Sequence, residues 1–260
     1  MGDETGDGAE AGIPPAVAAA WGIQDRPGKG PKRGLSVRRI VHAAIRTALE
    51  DGLGAVSMNR VAARLGTAAM SLYRYVSAKD ELLALMVDEV QAAPPDPPDT
   101  DAGWRVGMTH WARVNRDIYK AHPWLVHVPI MGPPIMPNSV AMFERLLRSL
   151  AGTGLAEEEK VSVVLLVTGL VRNHATLEAQ LQAAMRSPGP EQVSAGYGRL
   201  LAELIDPENF PALHAAVTAG AFDEGDTDVE DDMELEFNFS LERVLDGIEV
   251  FIGERAASDP

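Results

Sequence analysis

The sequence predicts an all-α protein, a small N-terminal helical domain joined to a larger helical one. Three observations predict it. Apolar residues recur three and four positions apart along most of the chain, with Ser, Thr and Gly where helices should start and stop. No stretch shows the two-residue alternation of a half-buried strand, and no internal repeat is present. Pro94, Pro95, Pro97 and Pro98 interrupt the helical pattern where the charge balance also changes sign, which sets a domain boundary after residue 92.

Taken in order, residues 1–34 are rich in Gly, Pro, Ala and acidic side chains and close on a basic run, Arg26 to Arg33, so they are expected to form a mobile arm. The small domain spans residues 35–92. Its first helix starts after Ser36 as N-cap, carries Val37, Ile40, Val41, Ala44, Ile45 and Ala48 on one face, and stops at Asp51 and Gly52. Ser57 caps a short helix over residues 58–65, and Gly66 supplies the left-handed turn that ends it. Thr67 then caps a helix over 68–76, and Ser77 with Asp80 forms a capping box for a fourth helix through Val90. The larger domain, residues 93–260, is expected to hold helices over 104–121, 139–151, 156–186, 191–204, 212–219 and 236–255. Between the first two, five prolines in residues 122–138 forbid a long regular helix. Residues 223–236 hold nine acidic residues and no basic one, the composition of a solvated connector.

Composition removes several functional classes. With 260 residues, 46% of them hydrophobic, the chain can bury a sizeable core without staples. It has no cysteine, which excludes disulfides, thiolate metal sites and thiol nucleophiles and points to the cytoplasm. The most apolar run, residues 161–171, is too short to cross a bilayer, and the acidic N-terminal residues do not suit an export signal. The net charge is −15, yet residues 26–79 hold eleven basic residues against two acidic ones. Such a concentrated cationic segment fits a polyanion, although a solvated basic face with no partner is the plainer alternative.

The two short helices around Gly66 form a helix-turn-helix unit, whose second helix has the size to enter a major groove about 12 Å wide. Small Ala62 lets the helices cross closely. Helical spacing turns Thr67, Ala69, Met70, Tyr73 and Arg74 outward and Leu72 and Val76 inward. Packing between helices is the alternative place for Tyr73 and Tyr75.

The stretch Ser57-Met-Asn-Arg-Val-Ala-Ala-Arg-Leu-Gly-Thr-Ala-Ala-Met-Ser-Leu-Tyr-Arg-Tyr-Val-Ser-Ala-Lys-Asp-Glu-Leu-Leu83 resembles the DNA-binding region of tetracycline-repressor (TetR) family regulators. That family couples Ala-x-x-Leu-Gly to Leu-Tyr-x-[His/Tyr]-Val-x-x-Lys-x-x-Leu. Weaker likeness to the family's C-terminal domain runs through His122-Pro-Trp124, residues 170–174, 206–213 and 239–252. The resemblance implies a ligand-responsive transcriptional regulator, a repressor that binds a palindromic operator as a homodimer and is released by a small hydrophobic molecule. It assigns Ser57, Asn59, Thr67, Ala69, Met70, Tyr73, Arg74 and Tyr75 to DNA, and Lys79 to a phosphate. Tyr75 stands where the family often has histidine, so a phenol replaces an imidazole. Among these, Arg74 suits bidentate contact with guanine O6 and N7. Lys32 and Arg33 suit either the minor groove or plain phosphate attraction.

In the family the helices corresponding to residues 156–186 and 236–255 build the dimer, and both are apolar enough here for that or for a monomer core. The acidic domain carries no visible catalytic set, so no enzyme activity and no cofactor are expected. His110, His122 and His127 lack the four-residue spacing of a helical metal site, so no protein-ligated metal is expected. Tryptophans and methionines in this part instead suit an apolar cavity. Its candidate effector residues are His110, Trp111, Asn115, Trp124, His127, Met131, Thr168, Arg172 and His174. Two rivals remain at this level. One is an all-helical small-molecule enzyme using His174 or His127 with Glu178, recognised by turnover and indifference to DNA. The other is an effector-independent architectural DNA binder, recognised by binding without palindromic preference.

Overall fold

A computed structural model describes residues 13, 15–23, 35–92, 103–130, 132–185, 197–222 and 229–258. Among these residues the secondary structure is helical, with no strand. Contacts divide the chain into two units, residues 1–152 and 153–260.

In the first unit, Ser36 Oγ accepts the Arg39 amide at 3.3 Å and opens helix α2 (Val37–Asp51), which follows a short N-terminal helix, α1 (Pro15–Ala20). The face of α2 that carries Ile40, Val41, Ala44, Ile45 and Ala48 is buried, as the periodicity requires. Ser57 Oγ accepts the Arg60 amide at 3.2 Å and opens α3 (Met58–Arg64), and Gly66 at φ 66° turns the chain toward α4 (Ala69–Leu72). Helix α5 (Lys79–Val90) closes the head by packing on α2. The core formed by α2 to α5 also takes in Trp124 and Leu125, from the 3₁₀ turn Pro123–His127. That anchoring explains why the first unit extends beyond the proline run after residue 92, where the domain boundary was expected.

Helix α6 (Trp104–Ala121) and helix α7 (Pro137–Ser149) cross closely. Gly107 makes this possible: a Cβ there would lie 2.6 Å from Ser149 Oγ and 3.0 Å from Ser149 Cβ. Gly107→Ala is expected to destabilise the unit by about 1–3 kcal/mol through overpacking. Urea unfolding would measure this, and Ser149→Gly should restore part of the loss.

The second unit holds α8 (Glu157–Met185), α9 (Tyr197–Leu204), α10 (Pro211–Thr218) and α11 (Val229–Ser258). Val163, Val164, Val167, Val171 and Ala175 of α8 and Met233, Phe237, Leu241, Leu245 and Ile248 of α11 are buried; from Val164 onward on α8, and throughout on α11, they recur three or four residues apart. The His174 ring meets Phe237 edge-on with centroids 5.2 Å apart. Tyr197 and Phe222 tie the α9–α10 hairpin in the same way, at 5.7 Å.

Several expectations need correction. Residues 15–23 of the supposed mobile arm form α1 and its terminating turn, with a run of alanines favouring the helix and Gly22 at φ 67° ending it. The remainder of 1–34, apart from Ile13, lies outside the described residues. The helix expected over 68–76 is shorter: α4 ends at Leu72, whose carbonyl accepts the amides of both Tyr75 and Val76. Its N-cap is Ala68, with no side-chain hydrogen bond, and Thr67 does not cap it. Ser77 does not form the expected capping box with Asp80: the N-cap of α5 is Ala78, with no side-chain cap, and Glu81 instead accepts the Ser77 amide at 2.6 Å and its hydroxyl. The acidic stretch 223–236 is not all connector, since α11 starts at Val229 and carries its second half. Of the helix expected over 191–204, residues 191–196 lie outside the described residues.

Candidate nucleic-acid interface

The second element of the helix-turn-helix presents a sharply divided surface. Leu72 and Val76 are fully buried in the head core, while Met70 is 76% exposed, Tyr73 46% and Tyr75 39%. Arg74 is exposed beside them. Core packing of the two tyrosines is thereby excluded. Thr67 and Ala69 are half-buried, and Ala69 packs against the head core, so of the expected groove residues these two contribute the least surface. Ser57 and Asn59 are exposed at the start of α3, with the Ser57 hydroxyl engaged as N-cap. Lys79 is exposed as the first residue of α5. Ala68, the N-cap of α4, is also exposed on this surface.

The cationic character of the head is smaller in three dimensions than in sequence. Arg60 Nη2 donates to Asp51 at 2.9 Å, and Arg64 pairs with Glu50, so both arginines of α3 are tied to the end of α2. The Arg64 guanidinium holds the Glu50 carboxyl below its usual range, and Glu50 in turn raises Arg64. Glu89 of α5 lies 2.6 Å from His42 Nε2 and 3.6 Å from Arg38 Nε. These pairs fix the helices to one another. Arg74 and Lys79 enter no ion pair among the described residues, which leaves their charge available to a polyanion.

Asp88, a residue the sequence gave no reason to select, is buried on α5. Its Oδ1 accepts the amides of Asn138 and Ser139 at 2.9 Å each, and its Oδ2 accepts Asn138 Nδ2 at 3.0 Å. A carboxylate of one helix thus caps the N-terminus of another, where amides are otherwise unpaired and the dipole favours negative charge.

The candidate effector residues have varied surroundings. In the first unit, Trp111 and Asn115 are buried on α6; the Trp111 indole donates to the Met142 carbonyl at 3.0 Å and Asn115 Nδ2 to the Trp111 carbonyl at 3.2 Å. His110 is half-buried and its Nε2 has no partner among the described residues. Trp124 belongs to the head core, with its indole nitrogen unpartnered among those residues. His127 is exposed, and Met131 lies outside the described residues. In the second unit, Thr168 is half-buried and donates to the Val164 carbonyl at 2.7 Å, Arg172 is half-buried, and His174 is buried against Phe237. Among the described residues no group of three His, Cys, Asp or Glu side chains could hold a metal ion, and no helix is long and apolar enough to cross a membrane.

Burial also lowers the pKa of His122 from its ordinary 6.5. With the folded value below the unfolded one, the unfolded chain binds more protons in between, so stability falls as pH drops through that interval. His122→Gln is expected to flatten the dependence of Tm on pH between about pH 7.5 and 5, a difference read directly by comparing the two proteins across that range.

Residues 40–86 match the family description "Bacterial regulatory proteins, tetR family", and residues 95–252 match "Tetracyclin repressor-like, C-terminal domain". The chain is 36% identical over 236 residues to the HTH-type transcriptional repressor DrrR1 of Streptomyces coeruleorubidus, spanning 90% of this chain and 85% of that protein. It is similar in structure to ActR of Streptomyces coelicolor in complex with actinorhodin, with a TM-score of 0.71 and 28% identity over 86% of this chain and 99% of ActR. Apo ActR gives a TM-score of 0.68 and 27% identity, again over 86% of this chain and 99% of ActR. An all-helical chain that turns Met70, Tyr73, Arg74 and Tyr75 outward from a helix-turn-helix, and matches both domains of one family, belongs to the TetR family of transcriptional regulators.

Proposed function

We propose that the protein is a homodimeric repressor whose hold on a palindromic operator is released by a small hydrophobic molecule. The observation that carries this reading is the outward set Met70, Tyr73, Arg74 and Tyr75 on an element locked from within by Leu72 and Val76. Residues 35–92 are the DNA-reading head, and residues 93–260 provide effector binding and dimerisation. One short element touches only a few base pairs, so useful specificity requires two heads on half-sites about one helical turn apart. The repressor activity named for DrrR1 supports the sign of the regulation.

Dimerisation runs through α8 and α11. Leu165, Leu166, Leu177 and Leu181 on α8, and Leu235, Phe239 and Val250 on α11, are exposed large apolar side chains, which mark association surfaces when gathered on two long helices. A groove of about 590 Å³ between them, lined by Val163, Leu166, Val244, Ile248 and Phe251 among others, suits insertion of a partner's side chains.

Effector binding draws, within the first unit, on His110, Trp111, Asn115, Trp124 and His127 and, within the second, on Thr168, Arg172 and His174. His110 Nε2 and the Trp124 indole N–H supply its hydrogen-bonding anchors. The actinorhodin complex of ActR supports an effector-binding role and supplies a first probe. A ligand releases DNA only through its different affinity for two conformations, typically about 1–3 kcal/mol of coupling. The site of action is the cytoplasm, and no cofactor is involved. A footprint on the DNA upstream of the protein's own gene, repeated with actinorhodin and with a panel of small aromatic compounds, tests this reading. A protected inverted repeat that is lost on addition of one of the compounds is expected. Protection without an inverted repeat, or turnover of a compound with no DNA binding, would overturn it.

A further inference from the structure

Helix α1 carries its own stop signal. Gly22 at φ 67° lets the Ile23 amide reach the Ala18 carbonyl at 2.9 Å and the Gly22 amide the Ala19 carbonyl at 3.2 Å, a glycine-terminated helix end. Six residues are too few to stay helical in water unaided, so the helix depends on what it rests against. Ala18 is buried, and the Trp21 indole N–H donates to the Ile135 carbonyl at 2.8 Å. The N-terminal segment is therefore fastened to the loop that leads into α7.

That loop is short and stiff at this point. Pro133 and Pro134 precede Ile135, and Pro137 begins α7, so three of the five backbone positions 133–137 have a fixed φ. Only Met136 and Pro137 separate Ile135 from Asn138, and Pro137 has a fixed φ, so a displacement of Ile135 has little chain in which to be absorbed before it reaches Asn138 and Ser139. Those two residues donate their amides to Asp88, and the Ser139 hydroxyl donates to Gln91 Oε1 at 2.6 Å. Asp88 and Gln91 lie at the far end of α5, the helix that begins at Lys79 and packs on α2. Residues 135–139 are thus gripped at one end by α1 and at the other by α5.

From this arrangement we infer that Trp21 is a positioning residue for the DNA-reading head. Docked on Ile135, the α1 strap keeps the first turn of α7 seated on Asp88, and that seat fixes α5. Regulation by a small molecule is not needed for this to hold, so it stands or falls separately from the effector reading.

Hydrogen exchange over residues 136–142 in the full-length protein, in Trp21→Phe, in Asp88→Asn and in the double variant tests the relay. Trp21→Phe is expected to speed exchange of this segment by about three- to tenfold, the effect of losing one ordinary hydrogen bond. Asp88→Asn should speed it at least as much, and the double variant should exchange no faster than Asp88→Asn alone, because both act through one chain of contacts. Removal of residues 1–23 should reproduce Trp21→Phe. Faster exchange confined to residues 15–23, with 136–142 unchanged, would overturn the inference. So would independent effects that multiply in the double variant, since a general loss of stability combines in that way and a relay does not.

Discussion

Replacing Arg74 with alanine is expected to relax discrimination at one base position in each half-site, at a cost of about 1–3 kcal/mol for the preferred base. The side chain is exposed, enters no ion pair among the described residues, and projects from the turn just after α4, between two exposed tyrosines. Lys79→Ala should behave differently. The ammonium at the start of α5 suits a phosphate, and its loss should weaken binding to all sequences alike and lower the salt slope by about one. Anisotropy titrations on an operator panel, each repeated at several salt concentrations, separate the two behaviours. Equal loss across the panel for Arg74→Ala would contradict its assigned contact.

Leu165→Glu is expected to separate the protomers and to abolish tight operator binding. Leu165 is 61% exposed on α8, near Leu166 and on the helix that pairs with α11. A glutamate there would have to surrender its hydration to be buried against a partner, which a carboxylate without a counter-charge strongly resists. Splitting a two-headed binder into single heads costs the effective concentration that links the half-sites, on the order of 10²–10⁴ in affinity. Sedimentation should show a monomer, with the helical content and the fold of each head retained. A dimer that persists in Leu165→Glu would place the association surface elsewhere.

The main lines of the fold were legible because this sequence writes its helix ends plainly. Ser36, Ser57, Gly52 and Gly66 do at their positions what their chemistry predicts, and the inward face of α2 follows from spacing alone. Misreadings arose where composition or local pattern outweighed packing. Residues 15–23 look like a disordered arm because Gly, Pro and Ala surround them, yet the docking of Trp21 on Ile135 is a contact between residues 114 positions apart. The length of α4 depended on how the Leu72 carbonyl is shared, which no periodicity encodes.

The candidate site divided similarly. The division into outward and inward residues followed from spacing and motif together, because on so short an element it is fixed by the need to bury Leu72 and Val76. Its electrostatics did not, since counting charges along the chain hides the pairing of Arg60 with Asp51 and Arg64 with Glu50. Asp88 was invisible because an acidic residue late in an amphipathic helix ordinarily faces water. Only the arrival of the N-terminus of α7 gives it a buried role.

With the element after Gly66 in the major groove, guanine N7 is the atom that reports its presence there. Dimethyl sulfate protection on the isolated operator measures it directly. N7 protection is expected in two symmetric half-sites about one helical turn apart, with one guanine in each half-site regaining reactivity in Arg74→Ala while the others stay protected. Bound DNA whose guanine N7 atoms all remain reactive, or protection that Arg74→Ala leaves unchanged, would contradict it.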